Sequence, residues 1–246
     1  MNILVCISKA PDTTSKIAFS DGNTRFDDNG IQFIVNPYDE WYALVRALEL
    51  KEANGGTVTT VTVGDVSYDP IIRKALAIGA DSAVRIDGQP LDSLHVAKEI
   101  ASYAEDKSFD LILCGKETIN FNGALVGGMI AELMGLPFVS QATKLEMSGN
   151  QASLSCDVQG GSENITVDGP FVLSAAKGMA EQRIPNMRGI MQARTKALEV
   201  VPASSSSAHT NVVGYELPPA KAECKFIDPE NAGELIQLLQ NEAKVL

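Results

Sequence analysis

Cysteine and histidine are too few and too scattered to build a metal centre. Cys6, Cys114, Cys156 and Cys224 are far apart and form no C-x-x-C pair, and His95 and His209 cannot complete a zinc set. Cys6 and Cys114 lie inside apolar runs, where cysteine behaves as a small buried hydrophobe. Basic residues are also in deficit. Lys and Arg number 20 against 31 Asp and Glu, a formal charge of −11. Phosphate backbones and anionic membranes should repel such a chain except through a local basic patch. The one dense basic segment is 183–196, so nucleic acid is not an expected partner. No apolar run approaches the roughly 20 residues that span a bilayer, and no membrane insertion is expected. The chain starts on a strand pattern, Met1-Asn2-Ile3-Leu4-Val5, and not on a charged leader with a cleavage site. That predicts a cytoplasmic location of the bacterial type, without a targeting segment. No fixed period recurs, which removes solenoids. No nucleophile pairs with His95, which reads as a surface residue of a helix and not as a base.

What is present is enough for a sizeable core: 246 residues, 45% of them hydrophobic. Residues 2–7 read as a buried strand, with Pro11, Asp12, Thr13 and Thr14 as its exit loop. Ser20-Asp21-Gly22-Asn23 is a hairpin turn. Asn36, Pro37, Tyr38 and Asp39 form a turn in which Asn36 or Asp39 can cap a helix running to about Ala53. Asn54-Gly55-Gly56 ends that helix, and 57–63 is a β-branched strand. A helix over 70–78, a strand over 82–86 and a helix over 91–103 follow. Strands alternating with helices imply right-handed crossovers and a mostly parallel sheet. After Pro137 the pattern changes to four strands, 138–146, 152–158, 163–167 and 171–175, joined by short turns. They read as an antiparallel meander attached to the sheet. Residues 178–185 are loop, and 186–193 make one or two helical turns. Residues 202–210 are a polar linker of low complexity, and 229–246 an amphipathic helix carrying Leu235, Ile236, Leu238 and Leu239. The expected fold is therefore α/β, a mostly parallel twisted sheet with flanking helices of the Rossmann-like, adenine-nucleotide-binding type. To it are added an antiparallel meander and a C-terminal arm with a terminal helix.

The stretch over 110–137 organises the rest. It opens as an apolar strand, Leu111 to Cys114, and closes as a helix with Leu125, Val126, Met129, Ile130, Leu133 and Met134 on its apolar side. Between them a small, polar turn lies at the carboxyl end of the strand, where open α/β sheets bind ligands. Gly115, Gly123, Gly127 and Gly128 permit close approach, and Lys116 adds a positive charge. A phosphate or nucleotide cradle fits the stretch, and so does an ordinary βα turn with packing glycines. Neither the dinucleotide fingerprint nor the P-loop spacing is present.

From Met1 to about Val201 the chain resembles the electron transfer flavoprotein β subunit. The matching pieces, in the family's order, are ILVCISKAPDTTSKI, NPYDE, VGD with IIRKALAIGAD, DLILCGKETINFNG, the QGG turn and RIPNMRGIMQARTKAL. The chain after Ser204 matches only in character. The resemblance implies a heterodimer with an α subunit, which holds one FAD that β touches, while β binds a structural AMP. Carried over by position, the AMP site comprises Cys6, Asn36, Pro37, Tyr38, Asp39 and Val63. It continues through Gly115, Lys116, Glu117, Thr118, Ile119, Asn120, Phe121, Asn122, Gly123, Ala124, Leu125 and Val126. Where the family often has a carboxylate and a glutamine, this chain has Asn120 and Leu125. Asp12, Thr13 and Asp157 are implied to lie near FAD or the α subunit. Taken alone, Asp157 reads as a solvent-facing strand residue. Residues 183–196 match a partner-recognition loop in which Met187 takes the place of the family's usual leucine, with Arg183 and Arg188 beside it. A helix start with Met187 packed in the core is the other reading of those residues.

The implied function is electron carriage and not catalysis by this chain. As a β subunit it would dock acyl-CoA dehydrogenase-type donors of fatty acid β-oxidation. Electrons would then pass through FAD to the membrane-associated electron transfer flavoprotein-quinone oxidoreductase. Two alternatives remain: an electron-bifurcating relative with a second FAD in the AMP position, and a stand-alone nucleotide-binding enzyme of similar fold. Residues 1–200 are expected to form the nucleotide-binding domain, and 201–246 a linker and arm contacting the partner subunit.

Overall fold

Alternating apolar side chains on short strands need cover on two faces, and the computed structural model provides it with helices on both. It describes residues 1–204, 207–221 and 223–246. Ser205 and Ser206 of the expected linker lie outside the described residues, as does Ala222 of the arm. In chain order come β1 (Asn2–Cys6), β2 (Lys9–Pro11), β3 (Phe19–Ser20), β4 (Arg25–Phe26), β5 (Phe33–Val35) and α1 (Asp39–Asn54). Next are β6 (Thr57–Val63), α2 (Asp69–Ile78), β7 (Ser82–Asp87), α3 (Ser93–Ala104), β8 (Leu111–Gly115) and α4 (Val126–Met134). β9 (Phe138–Ser148), β10 (Gln151–Val158), β11 (Gly161–Asp168), β12 (Phe171–Ala175), α5 (Met187–Ala193), β13 (Leu198–Pro202) and α6 (Ala232–Asn241) complete the chain.

Among the described residues, nine strands form one sheet in the order β11-β10-β9-β12-β8-β1-β6-β7-β13. The seven from β9 to β13 pair in parallel, and β10 and β11 extend the sheet antiparallel at one end. The α/β expectation is thereby borne out. Successive residues of a strand face opposite sides. Ile3 and Val5 accordingly join Leu44, Leu48, Ile72 and Leu76 of α1 and α2 in one core. Leu4 and Cys6 join Ile100 of α3 and Ile130 of α4 in the other. The chain leaves β1 through α1 on the first face and leaves β8 through α4 on the second. β1 and β8 are neighbours, so the crevice where the strand order reverses opens between Cys6 and Gly115. Ligands of open α/β sheets bind at such a point.

Several expectations are corrected. Residues 171–175 are not the last strand of the meander. β12 inserts between β8 and β9, parallel to both, because all five of its residues are buried and need neighbours on each side. Pro11, read as the start of the exit loop, ends a short strand, Lys9–Pro11, that pairs antiparallel with Phe33–Val35. An unexpected strand, β13, adds to the open edge of β7. Neither Asn36 nor Asp39 caps α1: the cap position is Tyr38, without a side-chain hydrogen bond. His95 is not a surface residue. It is 4% exposed, and its Nε2 lies 3.7 Å from Glu99 Oε1 one turn along α3. That face is covered where the chain leaves β13, with Ser204 donating both its N–H and its hydroxyl to Glu99 at 2.6 Å. The segment after it is tied down by polar bonds. Asp92 accepts from the N–H groups of His209 and Thr210 at 2.6 and 2.9 Å, and Tyr215 stacks on Phe19 at 4.8 Å. The terminal helix is shorter than the expected 229–246 span, a 3-10 turn at Pro229–Asn231 followed by α6. No helix among the described residues is long and apolar enough to cross a membrane.

Candidate functional site

Cys6 and Val63 end β1 and β6 and are both buried, so little more than their backbone is available at the crevice. Contact with Cys114, followed by burial, pushes the Cys6 thiol well above its ordinary range. The loop after β8 is held by the turn before α1. Asn36, itself buried, donates its amide to the Glu117 carbonyl at 2.9 Å and accepts the Ile119 N–H at 3.1 Å. Asp39 accepts the Glu117 N–H at 3.3 Å. Side chains read as helix caps therefore clamp the loop instead, because its buried backbone groups have a stronger claim on them than a helix start open to water. Pro37 is half-buried and Tyr38 exposed.

Gly115 is the tight point. A Cβ there would stand 2.7 Å from the Glu40 nitrogen and 3.1 Å from the Asp39 carbonyl carbon, so α1 starts directly on it. Gly127 faces the Phe138 ring, 3.1 Å from where its Cβ would be, and Gly128 is looser at 3.4 Å. Gly123 is different from the expectation: its nearest neighbour would be Ser93 Oγ at 3.7 Å, so the protein itself does not require glycine there. Phe121, Asn122, Gly123, Ala124 and Leu125 are exposed, as is Asn120, while Lys116, Glu117, Thr118, Ile119 and Val126 are half-buried. Asn122 and Ala124 are left-handed, at φ 48° and 51°. Asparagine tolerates that region, whereas alanine at such an angle is strained, and such strain clusters at ligand sites. Leu125 precedes α4 without a side-chain cap, so the first N–H groups of that helix face outward with the dipole behind them.

Carboxylates dominate the charge near the crevice. Lys116 is paired with Glu117 at 2.8 Å, which raises its pKa and leaves it a compensated charge. Burial lifts Asp39 from its usual range against the pull of Lys116. Burial pushes Glu40 up to about 7. Glu40 was not among the residues expected at the site, since an acidic residue in a first helical turn reads only as a partner of the dipole.

The other expected positions are separate from this crevice. Asp12 sits in the exit loop, accepting the Thr14 N–H and hydroxyl at 2.9 and 2.6 Å, which lowers its pKa. Asp12 lines a polar pocket of about 500 Å³ with Lys16, Asn29 and Gln32, and Thr13 is exposed beside it. Asp157 is exposed on β10 opposite Ser162. No hydrogen bond joins it to Asp12 or Thr13 among the described residues.

The 183–196 segment has a pinned back and a free front. Gly189 lies so close to the Ala77 carbonyl that α5 seats directly on the end of α2. Arg73 donates to the carbonyls of Ala193 and Lys196 at 2.8 and 2.7 Å. Arg183 makes a bidentate pair with Glu52 at 2.6 and 3.1 Å, and its carbonyl accepts the Trp41 indole N–H at 3.1 Å. On the front, Met187 is 74% exposed, and Ile184, Arg188 and Met191 of the same segment are exposed as well. Met187 is therefore not in the core. Ile184 and Met191 were not singled out in the sequence, although their spacing from Met187 would put all three near one surface.

Comparison with known proteins matches the sequence to one family. The sequence profile described as "Electron transfer flavoprotein domain" matches residues 24–206. The chain is 36% identical over 260 aligned positions to a Bacillus subtilis protein named electron transfer flavoprotein subunit beta, with all of both chains covered. It is 32% identical to a protein of the same name from Syntrophomonas wolfei, covering 100% of this chain and 98% of the other. A third, from Thermoanaerobacterium thermosaccharolyticum, is 30% identical over 96% of this chain and 92% of its own length.

Proposed function

The chain belongs to the electron transfer flavoprotein β-subunit family, and from that premise we propose that it is the nucleotide-holding half of a heterodimeric electron carrier. The observation that carries the nucleotide reading is the start of α4: an uncapped helix end at the point where the strand order reverses, behind an exposed loop strained at Ala124. Backbone N–H groups there suit a phosphate, and the open space around Gly123 admits one. These features fit AMP. The residues that would hold it are the 115–126 loop, the Asn36–Asp39 turn that braces the loop, and the backbone at Cys6 and Val63.

FAD, when bound with an α subunit, supplies the redox chemistry. This chain's part is to present Asp12, Thr13 and Asp157 toward that subunit and to carry no acid, base or metal of its own to the reaction. Met187, with Ile184 and Met191, is an apolar anchor on a rigid mount. Its partner would be a dehydrogenase of the acyl-CoA class, the acceptor a quinone oxidoreductase. A buried apolar anchor in such an interface controls dissociation, and charges such as Arg188 at its rim control association. The end of the arm, where Leu235 and Ile236 of α6 are exposed, would lie on the α subunit.

The test is to purify the heterodimer, release its nucleotides by heat and identify them by mass. One FAD and one AMP per heterodimer is the expected result. Two flavins and no AMP would assign the site to a bifurcating relative, and no adenine nucleotide at all would overturn the reading.

A further inference from the structure

Three segments of the nucleotide site converge on a carboxyl group that none of the site assignments includes. Glu40, the second residue of α1, is 5% exposed. Its Oε2 accepts the Ser8 N–H at 2.8 Å, just beyond the end of β1. Its Cγ is 2.8 Å from where a Cβ on Gly115 would stand, at the end of β8. Beside it, Asp39 receives the Glu117 N–H of the phosphate loop. No lysine or arginine forms an ion pair with Glu40 among the described residues. Lys116, the cation of this loop, is spent on Glu117. A buried carboxylate without a cation disfavours its charge, in keeping with the rise of Glu40 to about 7.

We infer that Glu40 is a further positioning residue of the nucleotide site: neutral, it lets the 115–126 loop hold an anionic phosphate, and ionised it opposes that anion. The inference rests on the adenine-nucleotide reading of the site. When neutral, Glu40 keeps one oxygen to accept the Ser8 N–H and carries the proton on the other. A phosphate held by the 115–126 loop would then meet no charge on Glu40, which lies against Gly115 at the start of that loop. Above neutrality the same phosphate must either face the carboxylate or draw a proton from solvent onto it, so binding becomes linked to proton uptake.

The other titratable groups near Glu40 have charged or thiol partners of their own. On β1, Cys6 is raised well above its ordinary thiol range by Cys114, its neighbour on β8. Lys116 is raised by Glu117, and Asp39 is raised by burial but opposed by Lys116 and the Glu117 N–H. Replacing Glu40 alone therefore isolates it from them.

The experiment titrates the full chain, stripped of nucleotide, with AMP by isothermal calorimetry in two buffers of different ionisation enthalpy. From about pH 7.5 to about pH 9 the phosphate of AMP is already fully charged, and AMP affinity should fall by up to about tenfold per pH unit with uptake of close to one proton. Glu40→Gln keeps a carbonyl for the Ser8 N–H and should bind AMP with no such slope and no uptake. A flat profile in the unsubstituted chain overturns the inference, and so does a slope that survives Glu40→Gln. If that variant does not fold, the buffer comparison on the unsubstituted chain decides: uptake near one proton supports the role and uptake near zero ends it. No AMP heat at any pH is a different failure, that of the nucleotide reading itself.

Discussion

Adding one methyl group at Gly115 and a larger side chain at Gly123 should have opposite consequences, although the two glycines lie in the same loop. At Gly115 the new Cβ would stand 2.7 Å from the Glu40 nitrogen, 2.8 Å from its Cγ and 3.1 Å from the Asp39 carbonyl carbon. Two of those atoms are backbone, and α1 cannot retreat without loosening Asp39 from Glu117 and Glu40 from Ser8. Overpacking of this kind costs about 1–3 kcal/mol. In a chain of this size each kcal/mol moves the melting midpoint by about 2–4 °C. Gly115→Ala should therefore melt about 2–12 °C lower. At Gly123 an added Cβ would have Ser93 Oγ, at 3.7 Å, as its nearest neighbour, on a backbone that is not left-handed, so Val is tolerated there. As an exposed substitution it should change stability by at most about 0.5 kcal/mol, yet it fills the space where a phosphate would enter. The assay pairs thermal unfolding with the quantity of AMP released by heat. The expected pattern is a lowered midpoint for Gly115→Ala, and an unchanged midpoint with depleted AMP for Gly123→Val. A Gly115→Ala protein that melts with the unsubstituted chain would refute the packing argument. AMP retained in full by Gly123→Val would refute the placement of the phosphate.

Met187→Ala should leave the melting midpoint unchanged, because the side chain is 74% exposed, while weakening electron transfer from a docked dehydrogenase by about 1–3 kcal/mol in kcat/KM. A drop of several degrees with transfer intact would return Met187 to a structural role. Asn36→Ala removes both bonds to the loop, and hydrogen exchange at Ile119 should speed up well before global unfolding. Asp92→Ala takes away the α3 cap and the anchors for His209 and Thr210 together. Limited proteolysis should then cut near 207–212 sooner, and the start of α3 should fray with the loss of its cap. The same contacts hold the Asp92 carboxyl far below its usual range. A depressed group contributes fully above the unfolded aspartate pKa of about 3.9 and loses that contribution as acid protonates it. The proteolytic difference between Asp92→Ala and the unsubstituted chain should accordingly be full at neutral pH and shrink below about pH 4; a difference that is constant with pH would remove the role assigned to this carboxylate.

The existence and type of the main elements were legible, because strand and helix periodicities are local. The loop after β8 was legible as a site for the same reason: small and polar residues between a buried strand and an amphipathic helix mark a carboxyl-end turn. Less visible was which side chain serves which backbone. Asn36 looks like a helix cap in its own neighbourhood, and its partners are Glu117, 81 residues away, and Ile119. His95 looks exposed on a helix whose cover is a strand more than a hundred residues later. Glycines were identified as a group, although only close approach in space separates Gly115, which has no room, from Gly123, which has plenty.

By itself, then, the sequence determined the α/β class, the position of the candidate nucleotide loop, and a basic segment with Met187 inside it. Those properties follow from spacing along the chain, and hydrophobic burial enforces them wherever the elements finally lie. Only the tertiary structure decided that β12 divides β8 from β9, that α5 is seated on α2 with Met187 outward, and that Glu40 is buried beneath Gly115. Each of these depends on which surfaces meet after the chain has closed on itself. A buried charge or a missing Cβ has its energetic meaning only in relation to the atoms that folding brings against it.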